Sequence, residues 1–175
     1  MNVEEQLAGL LAREEIRELV TSRFSAAVDW LDHAGMSACY TADATVAFGT
    51  ASMPAKDFVD FWCKMGANFR TRYHLITCAS IVVDGDRART EARGIVVGVA
   101  PDANNGGKLR DAIEGSRYYC DLVRQTYTWK IAKMQIVFDW SLIQPSPATT
   151  AAGAPFEEGM TTEHWLYKHM KSGAA

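Results

Sequence analysis

The apolar residues of this chain change period near Thr71, and that switch limits the fold more than any single motif. Over residues 3–30 the apolar positions Leu7, Leu10, Leu11, Ile16, Leu19, Val20, Phe24, Ala27 and Val28 share one helical face, with Glu and Arg on the other. After Thr71 four long runs alternate with a period of two: YHLITCASIVVDG, DRARTEARGIVVGVA, IEGSRYYCDLVRQ and TYTWKIAKMQIVFDW. Helices gathered ahead of the strands argue for an α+β fold.

Local signals divide the two halves further. The first segment reads as a long amphipathic helix with at most one break. Asp32 can cap a second helix over residues 33–40, and Asp43 marks the turn into a short strand, ATVAFG. MPAKDFVDFWCKMG reads as another helix, with Pro54 in its first turn. Asp84-Gly85, the loop PDANNGGK and a polar turn near Gln125 separate the long strands, which predicts an antiparallel meander. Helices laid on a strongly curved antiparallel sheet make a cone-shaped α+β barrel with a pocket between the layers. Residues 1–142 form that domain. Residues 143–175 carry a low-complexity linker, QPSPATTAAGAP, and a C-terminal helix, TTEHWLYKHMK, expected to pack back on it.

Composition narrows the class of partner. The 175 residues, 48% hydrophobic and 22% charged, suit one domain with a sizeable core. With 18 basic residues scattered among 21 acids, a net charge of -3 and a pI near 5.8, there is no basic stripe for nucleic acid. No stretch reaches the roughly 18 apolar residues of a membrane helix, and the acidic N-terminus lacks the order of a secretory signal. A cytoplasmic protein that binds a hydrophobic small molecule is the expectation. Cys39, Cys63, Cys78 and Cys120 show no CxxC spacing and read as reduced thiols.

His74 interrupts an apolar strand, and Asp29 and Asp32 lie in the helical half. If the fold joins Asp29 to His74, the chain holds a carboxylate–imidazole dyad, able to abstract a proton without a metal or an organic cofactor. The alternative is a helix-end carboxylate and a satisfied core histidine. Arg117 and Tyr119 share one strand face, and Tyr118 and Cys120 share the other. If the former pair faces inward, it can donate to an oxygen that gains charge. Arg93 carries the same ambiguity. Phe24, Tyr40, Phe48 and Trp62 are candidates for an apolar lining that suits an aromatic or polycyclic ligand. His164 and His169 stand five apart, off the spacing of helical metal ligands, so no metal site is expected. His33 reads as a capping residue, and NNGG as a hairpin loop rather than a phosphate cradle.

The order of these elements resembles the nuclear transport factor 2-like superfamily over roughly residues 5–141, and most of all its SnoaL-like, scytalone dehydratase-like branch. AAVDWLDHAGMSACYTADATVAFG, MPAKDFVDFW, RYHL and TWKIAK carry the resemblance. In those lyases an aspartate near the end of the first helix orients a histidine on the first long strand, which implies Asp29 and His74 here. Phe24 stands where the related dehydrochlorinase and bile-acid dehydratase place a lysine or tyrosine, and Ile113 where scytalone dehydratase has a second histidine. The resemblance implies a cofactor-independent lyase of the dehydratase type with Asp29 and His74 as its dyad, and the strand position of Arg117 adds it as the third catalytic candidate. Tyr119, Arg93 and the four aromatic residues would contact substrate. It also implies a homodimer or homotrimer, and a tail helix near Trp165 that closes the pocket mouth. The same fold hosts carbon–carbon lyases that deformylate lignin-derived diarylpropanes, cyclases, isomerases, binding proteins and dioxygenase β-type subunits.

Overall fold

The computed structural model describes residues 2–146 and 160–172. Helix α1 (Val3–Glu18) starts at a capping box: Asn2 accepts from the Glu5 N–H, and Glu5 accepts from the Asn2 N–H, each at 2.9 Å. Of its apolar residues only Ala12 and Ile16 are buried, whereas Leu7, Leu10 and Leu11 remain exposed. The helix therefore meets the body only in its second half. A π-helical turn follows at Leu19–Arg23 and leads into α2 (Phe24–Asp29). The wider turn shifts the helical phase, and Phe24, Ala27, Val28 and Asp29 are all buried.

Helix α2 ends in a Schellman motif. The Asp32 N–H donates to Ala27 O (2.8 Å) and the Leu31 N–H to Val28 O (3.3 Å), with Leu31 at φ 52. Glycine is the usual occupant of such a position. Leucine is kept here by packing: a Cβ on Gly66 would lie 2.7 Å from Leu31 Cδ2, so the two positions are matched. Asp32 then caps α3 (His33–Ala38) by accepting from the Gly35 N–H. Helix α4 (Ala55–Gly66) follows Pro54.

The strands are β1 (Tyr40–Phe48), β2 (Ala51–Pro54), β3 (Thr71–Asp84), β4 (Arg87–Pro101), β5 (Leu109–Gln125) and β6 (Thr128–Pro145). They form one sheet in the order β2-β1-β6-β5-β4-β3. The expected meander covers β3 to β6. Beyond it, β1 pairs parallel with β6, and β2 adds a short hairpin partner. Bulges between Thr77 and Ser80, at Gly115/Ser116 and at Asp121/Leu122 raise the local twist, and the sheet curls without closing. This is the expected α+β cone, with the helices on one side of the sheet. Its core joins Ile16, Leu19, Phe24, Met36 and Val59 to Leu122, Ile131 and Met134. Tyr73, Leu75, Ile95, Trp140 and Leu142 are exposed.

The β4–β5 hairpin turns through Gly106 and Gly107, both at positive φ (62 and 78), as a loop connector requires. Strand β6 runs on to Pro145, so the boundary expected at residue 142 falls inside it. The low-complexity linker lies largely at 147–159, outside the described residues. Helix α5 (Trp165–Ser172) lies against the end of α2: Tyr167 donates its hydroxyl to Asp32, and Trp30 packs on His164 and Tyr167.

Candidate active site

Asp29 is the last residue of α2, where backbone carbonyls lose their intrahelical partners. Two side chains supply donors. Trp62 Nε1 donates to Val28 O (3.2 Å) and Arg72 Nε to Asp29 O (3.1 Å). The Arg72 guanidinium also donates to Gly66 O (2.7 Å), Phe69 O (3.0 Å) and Met160 O. A buried cation thus ties together the C-termini of α2 and α4 and the returning tail. Burial pulls the Arg72 pKa down, and the Asp29 carboxylate opposes that shift.

Arg72 and His74 are two residues apart on β3 and both turn toward the helices. Asp29 Oδ1 lies 2.7 Å from His74 Nδ1, and Asp29 Oδ2 accepts from the His74 backbone N–H at 3.1 Å. The carboxylate holds both the ring and the strand that carries it. With Nδ1 facing an acceptor, the proton belongs on Nδ1 and the free lone pair on Nε2. The Trp62 ring meets the imidazole edge to face, with centroids 5.5 Å apart. The His74 side chain is 7% exposed and that of Asp29 12%, so water has little access to the pair.

His74 borders a cavity of about 260 Å³ between α2, α4 and the inner face of the sheet. Phe24, Val28, Phe58, Trp62, Met65 and Phe69 line its helical side. Gly98 leaves room for Phe69, since a Cβ there would sit 2.6 Å from that ring. The sheet side carries three polar groups besides His74: Arg110, Glu114 and Tyr118, all on β5. The register sets His74 beside Val96 and Val96 beside Glu114, so the imidazole and the carboxyl share one row across the sheet. Burial raises the Glu114 pKa, with His74 working against the shift. Burial also pushes the Tyr118 hydroxyl up to about 12, with Ser116 Oγ donating to it at 3.3 Å. At neutral pH that phenol keeps its proton.

A SnoaL-like domain model matches residues 8–135, well over half of the chain. The chain belongs to the SnoaL-like family. No curated protein matches it. Among solved structures, it is similar to a type 2 hexachlorocyclohexane dehydrochlorinase at 15% identity and a TM-score of 0.72, over 85% of this chain and 99% of that one. A candidate scytalone dehydratase from Novosphingobium aromaticivorans shares 15% identity at a TM-score of 0.67, covering 85% and 97%. The Kfla4162 protein from Kribbella flavida shares 22% identity at a TM-score of 0.66, covering 74% and 92%. At these identities the likeness concerns the fold, the cone of the nuclear transport factor 2-like superfamily.

In this SnoaL-like protein some of the residues singled out in the sequence meet and others do not. Asp29 and His74 are in contact, and Phe24, Phe48 and Trp62 line the cavity. Arg117 and Tyr119 lie on the outer face, because Ser116 and Tyr118 take the inward positions of β5. Arg117 pairs there with Asp139 (2.7 Å) and Glu91 (3.0 Å), and Asp139 holds its pKa up. Arg93 is also outside, 3.1 Å from Glu91. Tyr40 is a core residue whose hydroxyl meets Met134 Sδ at 3.5 Å. His33 reaches Asp60 Oδ1 at 2.7 Å on the surface. No residue of α5 lines the cavity, so the described tail braces the Asp29 end of the site rather than its mouth.

Glu114, Tyr118 and Arg110 were not among the expected site residues. Their signal is parity. All three share alternation with Cys120 and Leu122, which are buried, whereas Arg117 and Tyr119 alternate with Asp121. Glu114 also makes stability depend on pH. Its raised folded pKa means that its contribution is fully present below the ordinary value of 4.5 and is lost as pH rises through the raised value. Glu114→Gln should therefore gain in melting temperature on the wild-type protein between pH 4 and neutrality. A gap that stays constant, or narrows in the other direction, contradicts this assignment.

Proposed function

We propose that this protein is a cofactor-independent lyase that eliminates water, or a comparable leaving group, from a small hydrophobic molecule. The observation that carries the reading is the 2.7 Å Asp29–His74 pair opening onto an apolar cavity that also holds a carboxyl and a phenol. His74 Nε2 takes a proton from carbon, and Asp29 stabilises the resulting imidazolium. The electron pair of that C–H bond forms the new double bond. The hydroxyl on the adjacent carbon leaves as water after receiving a proton from Glu114, whose raised pKa suits it to donate. Tyr118 can donate its O–H to an oxygen that gains charge on the way.

The cavity volume supports a one- or two-ring substrate, since about 260 Å³ lies just under the usual range of roughly 300–1,000 Å³. Secondary alcohols and halides of that size, deuterated at the carbon adjacent to the one that bears the leaving group, form the test set. The expected result is formation of the alkene with loss of that deuterium to solvent, slower than for the protiated compound. Binding without any turnover across the set would move the protein to a non-catalytic carrier. Carbon–carbon cleavage and isomerisation start from the same base and are told apart by their products.

A further inference from the structure

Arg110 borders the cavity without any need of the dyad to explain it. It lies at the hairpin end of the inner face of β5, and among the described residues no carboxylate pairs with it. The contrast with the same strand's outer face is direct, where Arg117 has both Asp139 and Glu91. An arginine on the border of an apolar chamber is a strong recognition group for a planar anion, because its guanidinium donors match both carboxylate oxygens. Arg110 and Glu114 are four residues apart, about 13 Å along an extended strand, with Ala112 inward between them. Ala100 and Ala112 line the cavity near Arg110, and side chains this small leave room for a ligand.

We propose that the substrate is a hydrophobic carboxylate, held with its anionic end on Arg110 and its reacting carbon beside His74. This rests on the reading of His74 as the base. Arg110 sets that orientation, because it attracts a carboxylate to the end of the chamber away from the His74 row. A small apolar cavity usually relies on a few polar anchors to choose one pose among several, and Arg110 is such an anchor.

Calorimetric titration with 2-naphthoate and with its neutral near-isostere 2-acetylnaphthalene tests the proposal, using wild type, Arg110→Gln, Arg110→Lys and Asp29→Asn. Wild type should bind naphthoate on the order of tenfold or more tightly than the ketone. Arg110→Gln should lose that preference while still binding the ketone, which also shows that the cavity is intact. Arg110→Lys should keep part of it. Asp29→Asn should keep all of it, so a lyase reading that fails leaves this result standing. Equal affinities in wild type, absence of naphthoate binding, or a preference that survives in Arg110→Gln would overturn the proposal.

Discussion

Asp29→Asn should lower turnover by about 10²–10⁴-fold, the span of general-base catalysis, while leaving the fold intact. The asparagine oxygen can still accept the His74 backbone N–H that Asp29 Oδ2 accepts at 3.1 Å. Its amide then points a donor at Nδ1, and the imidazole answers by moving its proton to Nε2. A base with its working nitrogen protonated cannot take a proton from substrate. Asp29 acts through His74, so the two losses should not add: Asp29→Asn combined with His74→Gln should be no slower than the slower single variant. Additive losses would mean that the two side chains serve separate steps. A purely structural Asp29 would instead show a lowered melting temperature with the pH profile of turnover unmoved.

The largest loss of stability is expected at Arg72. Arg72→Met should cost about 3–5 kcal/mol, because it strips donors from the carbonyls of Asp29, Gly66, Phe69 and Met160 around a side chain that is 3% exposed. In a domain of this size that corresponds to a fall in melting temperature of roughly 10 °C. Arg72→Lys should fall between, since one ammonium cannot serve carbonyls on three elements in the fixed directions of a guanidinium. Urea unfolding of the three proteins checks this. A loss below about 1 kcal/mol for Arg72→Met would show that water replaces the guanidinium at little cost, and that the end of α2 is held by its Schellman turn and Trp62.

Much of the fold could be read from the sequence because its signals are local. The change of period at Thr71, the Asp32 cap and Pro54 ahead of α4 each depend on a few neighbouring residues. The parallel pairing of β1 with β6 could not be read that way, since it joins segments some 90 residues apart whose only bond is that both need a partner. Within the site, His74 and Asp29 stand out as polar groups in apolar surroundings. Strand β5 misleads because both of its faces carry an aromatic ring and a polar group, so Arg117 with Tyr119 looks as good as Ser116 with Tyr118. The alternation of Asp121 against Cys120 and Leu122 resolves the choice, but only when the whole strand is read at once. Arg72 was hidden for another reason. Its role is to cap a helix that ends 43 residues earlier in the chain, and no short window contains both.

The most direct test of the dyad is the ¹⁵N chemical shift pair of the His74 ring, recorded by NMR across the neutral pH range in wild type and in Asp29→Asn. A neutral ring oriented by Asp29 shows a protonated Nδ1 and an unprotonated Nε2, and the substitution reverses the two. A wild-type ring with its proton on Nε2, or one indifferent to the loss of the Asp29 charge, would contradict the assignment of His74 as the group that takes the proton.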